Sequence, residues 1–287
     1  MALPVRLGYL GPEGTFSEEV AREGPTPLDG PPAELVALPT VRDTVMAVQE
    51  RRVDRAVVPV ENSVEGAVGV TLDTLAADAP DVAIVGESVL AISQCLIARE
   101  AVALEAITHV VSHPQATAQC ARYLREHLPA AAVVPASSTA EAVRIVVAEP
   151  APWAALSTRR AAELYGGAVL AECVEDEPGN QTRFLWISRA DDAAGADTAR
   201  AHKTSLSFWG EGDASPGWLV RCLSEFAFRG VNLTKIESRP LRGRLGHYRF
   251  FVDCAGSAGE GPVTEAVDGL RKHCDEVRVL GSYPAAG

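Results

Sequence analysis

A hydroxyl and a fixed cation stand side by side at Thr182 and Arg183, in "NQTRFLWISR", directly before the apolar run Phe184 to Ile187. Such a run reads as a buried strand, which puts the pair where the strand emerges from its sheet. Three more stretches set polar groups at comparable places. "GYLGPEGTFSEEVA" joins a strand to a helix through a Gly-Pro-Glu-Gly turn, with Thr15 and Ser17 at the helix start. Turn glycines allow close backbone approach, and a helix N-terminus offers free N–H groups to an anion. "VVPVENSVEGAVG" ends a strand in Glu61-Asn62-Ser63, where Asn62 has both donor and acceptor atoms. "VVSHPQATAQC" has Ser112 or His113 capping a helix that Pro114 initiates. Gln115 and Gln119, four apart, share one face of that helix, and a hydroxyl with two amides suits a carboxylate. Each stretch also has a plainer explanation: a capped helix, a turn with its cap, a solvated glutamine face, and a surface ion pair for Arg183. His113 reads as a structural cap rather than a base, because the neighbouring proline fixes its backbone.

These groups need elements to hold them at one place. Up to about residue 189, short β-rich runs alternate with helical patterns. Strands are predicted at 5–10, 55–60, 82–98 (whole or broken), 107–112, 131–136, 153–157 and 182–188. Thr15 with Glu18, and Thr40 with Asp43, mark helix starts as capping boxes. The alternation predicts an α/β fold with a largely parallel sheet, whose ligands bind beyond the carboxyl ends of the strands. Residues 190–202, "ADDAAGADTARAH", read as a flexible linker. After them the order is β-α-β-β-α-β, a ferredoxin-like second domain over residues 203–287.

The totals narrow the function. A net charge of -12 opposes non-specific binding to nucleic acid or an anionic membrane, so an anionic ligand must be held by local donors. No apolar run is long enough to span a bilayer, and the start of the chain lacks a signal-peptide pattern. Six scattered cysteines without a CxxC pair fit a reduced, cytoplasmic setting better than a disulfide framework or a zinc site. The six histidines show no metal-ligand spacing. The Gly-Pro-Glu-Gly turn matches neither GxGxxG nor a P-loop, so no nucleotide is implied.

Together the stretches resemble prephenate dehydratase. The resemblance rests on GPxGTxS at 11–17, PxENSxxG at 59–66, SHPQAxxQC at 112–120, Thr182-Arg183-Phe184, and a C-terminal part similar to an ACT domain with Glu237-Ser238-Arg239-Pro240. It implies two α/β lobes around a cleft, similar to a periplasmic binding protein, over residues 1–189. The lobes would be about 1–78 plus 160–189, and 79–159. It implies loss of water and carbon dioxide from prephenate, giving phenylpyruvate for phenylalanine biosynthesis, with no cofactor and no metal. Thr182 would be catalytic, acting on the departing hydroxyl. Asn62, Ser63, Ser112, Gln115, Gln119 and Thr15 would bind substrate, with Phe184 packed beneath. Arg183 would either neutralise a substrate carboxylate or brace Glu61. L-phenylalanine would be the allosteric effector, held by Gly217, Trp218, Leu219 and residues 237–240 in a homodimer or homotetramer. One departure stands out: the family's Gly-Ala-Leu-Val is here Gly217-Trp218-Leu219-Val220, and the tryptophan puts phenylalanine binding in doubt. Rival expectations are a non-aromatising prephenate decarboxylase, which should lack the hydroxyl at Thr182, an arogenate dehydratase, and a non-catalytic amino-acid sensor.

Overall fold

The computed structural model describes residues 4–23, 34–192, 201–259 and 261–286. One sheet is built from β1 (Arg6–Leu10), β2 (Glu34–Leu38), β3 (Arg55–Asn62), β5 (Val82–Ala91) and β11 (Gln181–Arg189). Its order is β2-β1-β3-β11-β5, and the short β4 (Gly66–Ala67) folds back on β3. Helices α1 (Phe16–Glu23) and α2 (Val41–Gln49) flank it, α2 starting where the Thr40 hydroxyl accepts from the Asp43 N–H at 3.0 Å. A second sheet, order β10-β6-β9-β7-β8, is formed by β6 (Cys95–Ala98), β7 (His109–Ser112), β8 (Ala132–Pro135), β9 (Trp153–Ser157) and β10 (Ala168–Ala171).

Both sheets are mixed, which corrects the expectation of a largely parallel one. β1 pairs in parallel with β2 and β3, and β7 with β8 and β9, while β11 and β6 run antiparallel to their neighbours. The reason is the route of the chain. It crosses between sheets at residues 92–94 and returns before residue 181, so the strand after each crossing starts at the cleft and runs away from it. The lobe boundaries shift for the same cause. Pairing of β5 along β11 puts residues up to 91 in the first lobe, and pairing of β10 with β6 puts residues up to 171 in the second.

β12 (His202–Trp209), α8 (Trp218–Ala227), β13 (Leu233–Pro240), β14 (Tyr248–Ala255), α9 (Gly261–Leu270) and β15 (Glu276–Pro284) form the C-terminal domain. Its sheet, β13-β14-β12-β15, is antiparallel throughout, the ferredoxin-like arrangement. One face packs on α8 and α9 through Phe208, Phe226 and Leu270. The other lies on the first lobe, where Phe251, Leu280 and Tyr283 share a core with Val60, Leu75 and Ile84. Gly281 sits so close to the Ile84 backbone that a side chain there has no room. Arg278 locks the contact by donating to the carbonyls of Leu75 and Ala79, both at 2.7 Å, and Pro80 at 2.9 Å. Of the expected linker, 193–200 lie outside the described residues, Ala190–Asp192 form a helical turn, and His202 already belongs to β12.

Candidate active site

β3 and β11 are neighbours, and their register sets Thr182 opposite Asn62 where both strands meet the cleft. Both side chains are buried, at 9% and 7% exposure. Asn62 Nδ2 donates to Asn180 Oδ1 at 2.8 Å and to Thr182 Oγ1 at 2.9 Å. Its Oδ1 accepts from the N–H groups of Val64 and Glu65 at 3.0 and 2.9 Å, which fixes the turn after β3. Since Asn62 is the donor in the Asn62–Thr182 bond, the hydrogen of the Thr182 hydroxyl is left to point at a ligand. The cleft has a volume of ≈ 400 Å³ and lies between the lobes, with Thr182, Asn62, Phe184 and Thr15 on one side and Gln115 and Gln119 on the other. Phe184, 2% exposed, packs with Tyr9, Val20 and Val57 and closes the floor to water.

Thr15 lines the cleft, but its hydroxyl is occupied: it donates to the Leu10 carbonyl at 2.9 Å and accepts from Glu18 N–H at 3.4 Å. The buried Glu18 carboxylate in turn takes the Gly14 N–H. Gly14 has φ +86° and lies against Ala161 of α7 (Arg159–Tyr165), so the first lobe's loop and the second lobe touch at a position open only to glycine. Thr158 strengthens that contact by donating to the Gly14 carbonyl at 2.7 Å. Gln115 and Gln119 face the cleft from α4 (Pro114–Gln119), which His113 caps by accepting the Gln115 N–H at 3.3 Å. Gln119 Nε2 approaches Glu65 Oε1 of the first lobe at 3.5 Å.

Three expected members stand elsewhere. Ser63 braces the neighbouring loop, accepting from Gln181 N–H at 2.9 Å and donating to Asn180 Oδ1 at 3.2 Å. Ser112 is fully buried and donates to the Leu156 carbonyl at 2.8 Å, because it ends β7 facing β9. Arg183 follows Thr182 in a strand, so it projects from the opposite face of the sheet, towards the C-terminal domain. There it meets Glu87 at 2.6 Å, Asp253 at 2.6 Å and the Tyr283 hydroxyl at 3.0 Å. Glu61, the brace considered for it, is at 3.5 Å and pairs more closely with Lys235 at 3.1 Å. Burial by itself would lower the Arg183 pKa, but Asp253, Tyr283 and Glu87 reverse this and raise it. For Glu87, burial raises the pKa, and Arg183 and Lys203 outweigh it, leaving it lowered.

Of the expected effector residues, Trp218 and Arg239 are engaged by side-chain contacts of their own. Trp218 is 4% exposed, packs against the stacked pair Phe208 and Phe250, and donates its indole N–H to the His273 carbonyl at 2.7 Å. Gly217 starts α8 at φ +77°, and Leu219 packs against that domain's core. Within β13, Glu237, Ser238 and Pro240 lie on an edge strand, and Arg239 pairs with Asp73 of the first lobe at 2.8 Å. Two residues escaped sequence reasoning, Asn180 behind Asn62 and Gln94 in the wall of the cleft. Asn180, the partner of Asn62, precedes the Gln-Thr-Arg triplet, and Gln94 sits inside what reads as one long strand.

Two mixed α/β lobes enclosing a cleft of hydroxyls and amides set among apolar side chains, with a ferredoxin-like domain docked on one of them, define a small-molecule cleft protein with an appended small domain. The family model for prephenate dehydratase matches residues 7–192, and the chain belongs to the prephenate dehydratase family. A prephenate dehydratase of Mycobacterium sp. (strain JLS) is 40% identical over 286 residues, spanning 97% of this chain and 89% of that protein. The crystal structure of prephenate dehydratase from Arthrobacter aurescens in complex with L-Phe superposes with a TM-score of 0.86 at 38% identity, covering 98% of this chain and 90% of that one. GqqA, described as a novel type of quorum quenching acylase, aligns at TM-score 0.84 and 28% identity over 98% of each chain. Membership makes this chain a lyase that dehydrates and decarboxylates prephenate. No described helix is long and apolar enough to cross a membrane.

Proposed function

We propose that the cleft at Thr182 performs the reaction, and that the C-terminal domain governs it in response to an aromatic amino acid. Prephenate carries a ring carboxylate, a pyruvyl side chain and a ring hydroxyl, and aromatisation supplies the driving force. The work left to the protein is to stabilise the departing hydroxyl and to hold the carboxylate that leaves as carbon dioxide. Thr182 is a weak acid in water; its value lies in a fixed position inside a sheltered site. The observation that carries this reading is the Asn62 Nδ2 bond to Thr182 Oγ1 at 2.9 Å, which turns the threonine into an oriented donor. Gln115 and Gln119 are the amide donors for the carboxylates, approaching as the lobes close.

The regulatory half of the proposal draws on the Arg183 bridge and on the L-Phe complex of the Arthrobacter aurescens relative. Adjacent residues of one strand reach the cleft and the C-terminal domain, so a shift at Asp253 is transmitted to the backbone of Thr182. Val220 of α8 and Phe228 just after it, 66% and 86% exposed, support a homodimer or homotetramer built through this domain. Likeness to GqqA raises acyl transfer as an alternative. That chemistry needs a hydroxyl activated by a base. In this cleft Thr182 bonds Asn62, Thr15 bonds Leu10, and Ser138 accepts a backbone N–H, none of them a histidine or carboxylate. Purified protein given prephenate and arogenate in parallel tests the proposal. Phenylpyruvate formation from prephenate is expected, and turnover of arogenate alone would overturn the choice of substrate.

A further inference from the structure

The cleft contains a buried acceptor without a donor. Gln94 is 2% exposed, lines the cleft with Thr182, and its Oε1 is enclosed with no hydrogen-bond partner. Among the orphaned buried polar atoms of the described residues, it is the one whose residue faces the cleft. Buried oxygens of this kind are rare because an unmade hydrogen bond is costly, and they concentrate where a ligand completes them. The Gln94 backbone is anchored on both sides: its N–H donates to Glu175 Oε2 at 2.8 Å, and its carbonyl accepts from Val174 N–H at 3.1 Å. Both partners belong to the segment returning between the lobes, so the side chain is held at the crossing. Gln94 follows closely on β5, whose Leu90 pairs with Thr182 and whose extension at Ile92 donates to the Asn180 carbonyl at 2.8 Å, and Gln94 and Thr182 line the same cleft.

Prephenate decides what this oxygen binds. Its carboxylates and keto oxygen only accept, and its ring hydroxyl is its one donor. We propose that Gln94 Oε1 accepts the hydrogen of that hydroxyl while Thr182 donates to the same oxygen, so the leaving group is gripped by both of its hydrogen-bonding functions. In the reaction the C–O bond breaks with its electron pair going to oxygen. The bond to the ring carboxylate breaks and its pair completes the aromatic ring, releasing carbon dioxide. The hydroxide formed takes a proton from solvent and leaves as water. Gln94 neither gives nor takes a proton; it fixes the direction of the hydroxyl.

The inference rests on the proposed role of the cleft, and the test separates the two. Gln94→Met keeps the length of the side chain and removes the acceptor. It should lower kcat/KM for prephenate by roughly 10- to 100-fold, the scale of one lost hydrogen bond at a desolvated site. Phenylpyruvate has no ring hydroxyl, so its inhibition constant as a product should change by less than about twofold, which a purely structural role would not allow. Gln94→Leu gives the same comparison if the methionine variant melts early. Unchanged kcat/KM beside a crippled Thr182→Ala would overturn the role of Gln94 and leave the cleft standing. A parallel loss of product binding would also overturn it, assigning the amide to a carboxylate instead. Full turnover by Thr182→Ala would remove the cleft assignment itself.

Discussion

Replacing Arg183 with methionine separates the two roles its position allows. The guanidinium is shared among Glu87 at 2.6 Å, Asp253 at 2.6 Å and the Tyr283 hydroxyl at 3.0 Å. In the variant Glu87 keeps Lys203 at 2.7 Å and the Ala286 N–H at 2.9 Å, so its charge stays compensated. Asp253 keeps only the Ser205 hydroxyl, at 2.5 Å, and becomes a buried carboxylate without a cation. Breaking a buried pair by removing one partner costs about 3–5 kcal/mol. The Ser205 bond places this case towards the lower end, near 3 kcal/mol. Urea unfolding of the full chain reads that cost, with kinetics on prephenate beside it. The expected outcome is a lower midpoint with KM changed less than about threefold. The double variant Arg183→Met/Asp253→Leu, which removes both charges, should be more stable than Arg183→Met alone. Had the guanidinium gripped a substrate carboxylate, losing it would raise KM by about 10- to 150-fold, as expected for a charge-assisted bond. That increase with unchanged stability would refute the bridge.

Acid should loosen the same bridge. The folded pKa of Glu87 is lowered from its ordinary 4.5, so its stabilisation is present above that value and is lost as pH falls through the folded one. The melting-temperature gap between wild type and Glu87→Gln should therefore be constant above about pH 5 and shrink as pH falls below 4.5. Alkylation mapped by mass spectrometry should label exposed Cys173 first and spare Cys120, a thiol that burial pushes up to about 12. Trp218→Ala should cost about 3–5 kcal/mol in thermal unfolding, since the ring fills that domain's core. Melting-temperature shifts with L-phenylalanine should be larger in that variant than in wild type, because the indole no longer fills the space against Gly212.

The strands that sequence revealed are those with long continuous apolar runs, such as β3, β9 and β11, where burial on both faces leaves an unmistakable pattern. β2 and β10 escaped it. Their residues are mostly half-buried or exposed, unlike the two-face burial of β9. The site was legible as motifs and only partly as geometry. Thr182, Asn62, Gln115 and Gln119 do face one cleft. Arg183 was grouped with them by proximity in sequence, although strand alternation already separates neighbours onto opposite faces. Ser112 failed in a similar way, because the last residue of a buried strand bonds across its own sheet. Gln94 was hidden inside a predicted strand that the chain in fact interrupts at residues 92–94 to pass between lobes. Trp218 was read as a possible plug from its departure from the family's Gly-Ala-Leu-Val, and its burial has a local cause in the His273 carbonyl and two phenylalanine rings.

The account turns on an alcohol at residue 182, and exchanging that group alone measures it. Phenylpyruvate formation by Thr182→Ser and Thr182→Ala, each matched to wild type in melting temperature, is the comparison required. Serine, which keeps the hydroxyl against Asn62, should retain turnover within about tenfold, and alanine should lose roughly 10²- to 10⁴-fold. Alanine turning over as fast as serine would contradict the assignment, however well the rest of the cleft is formed.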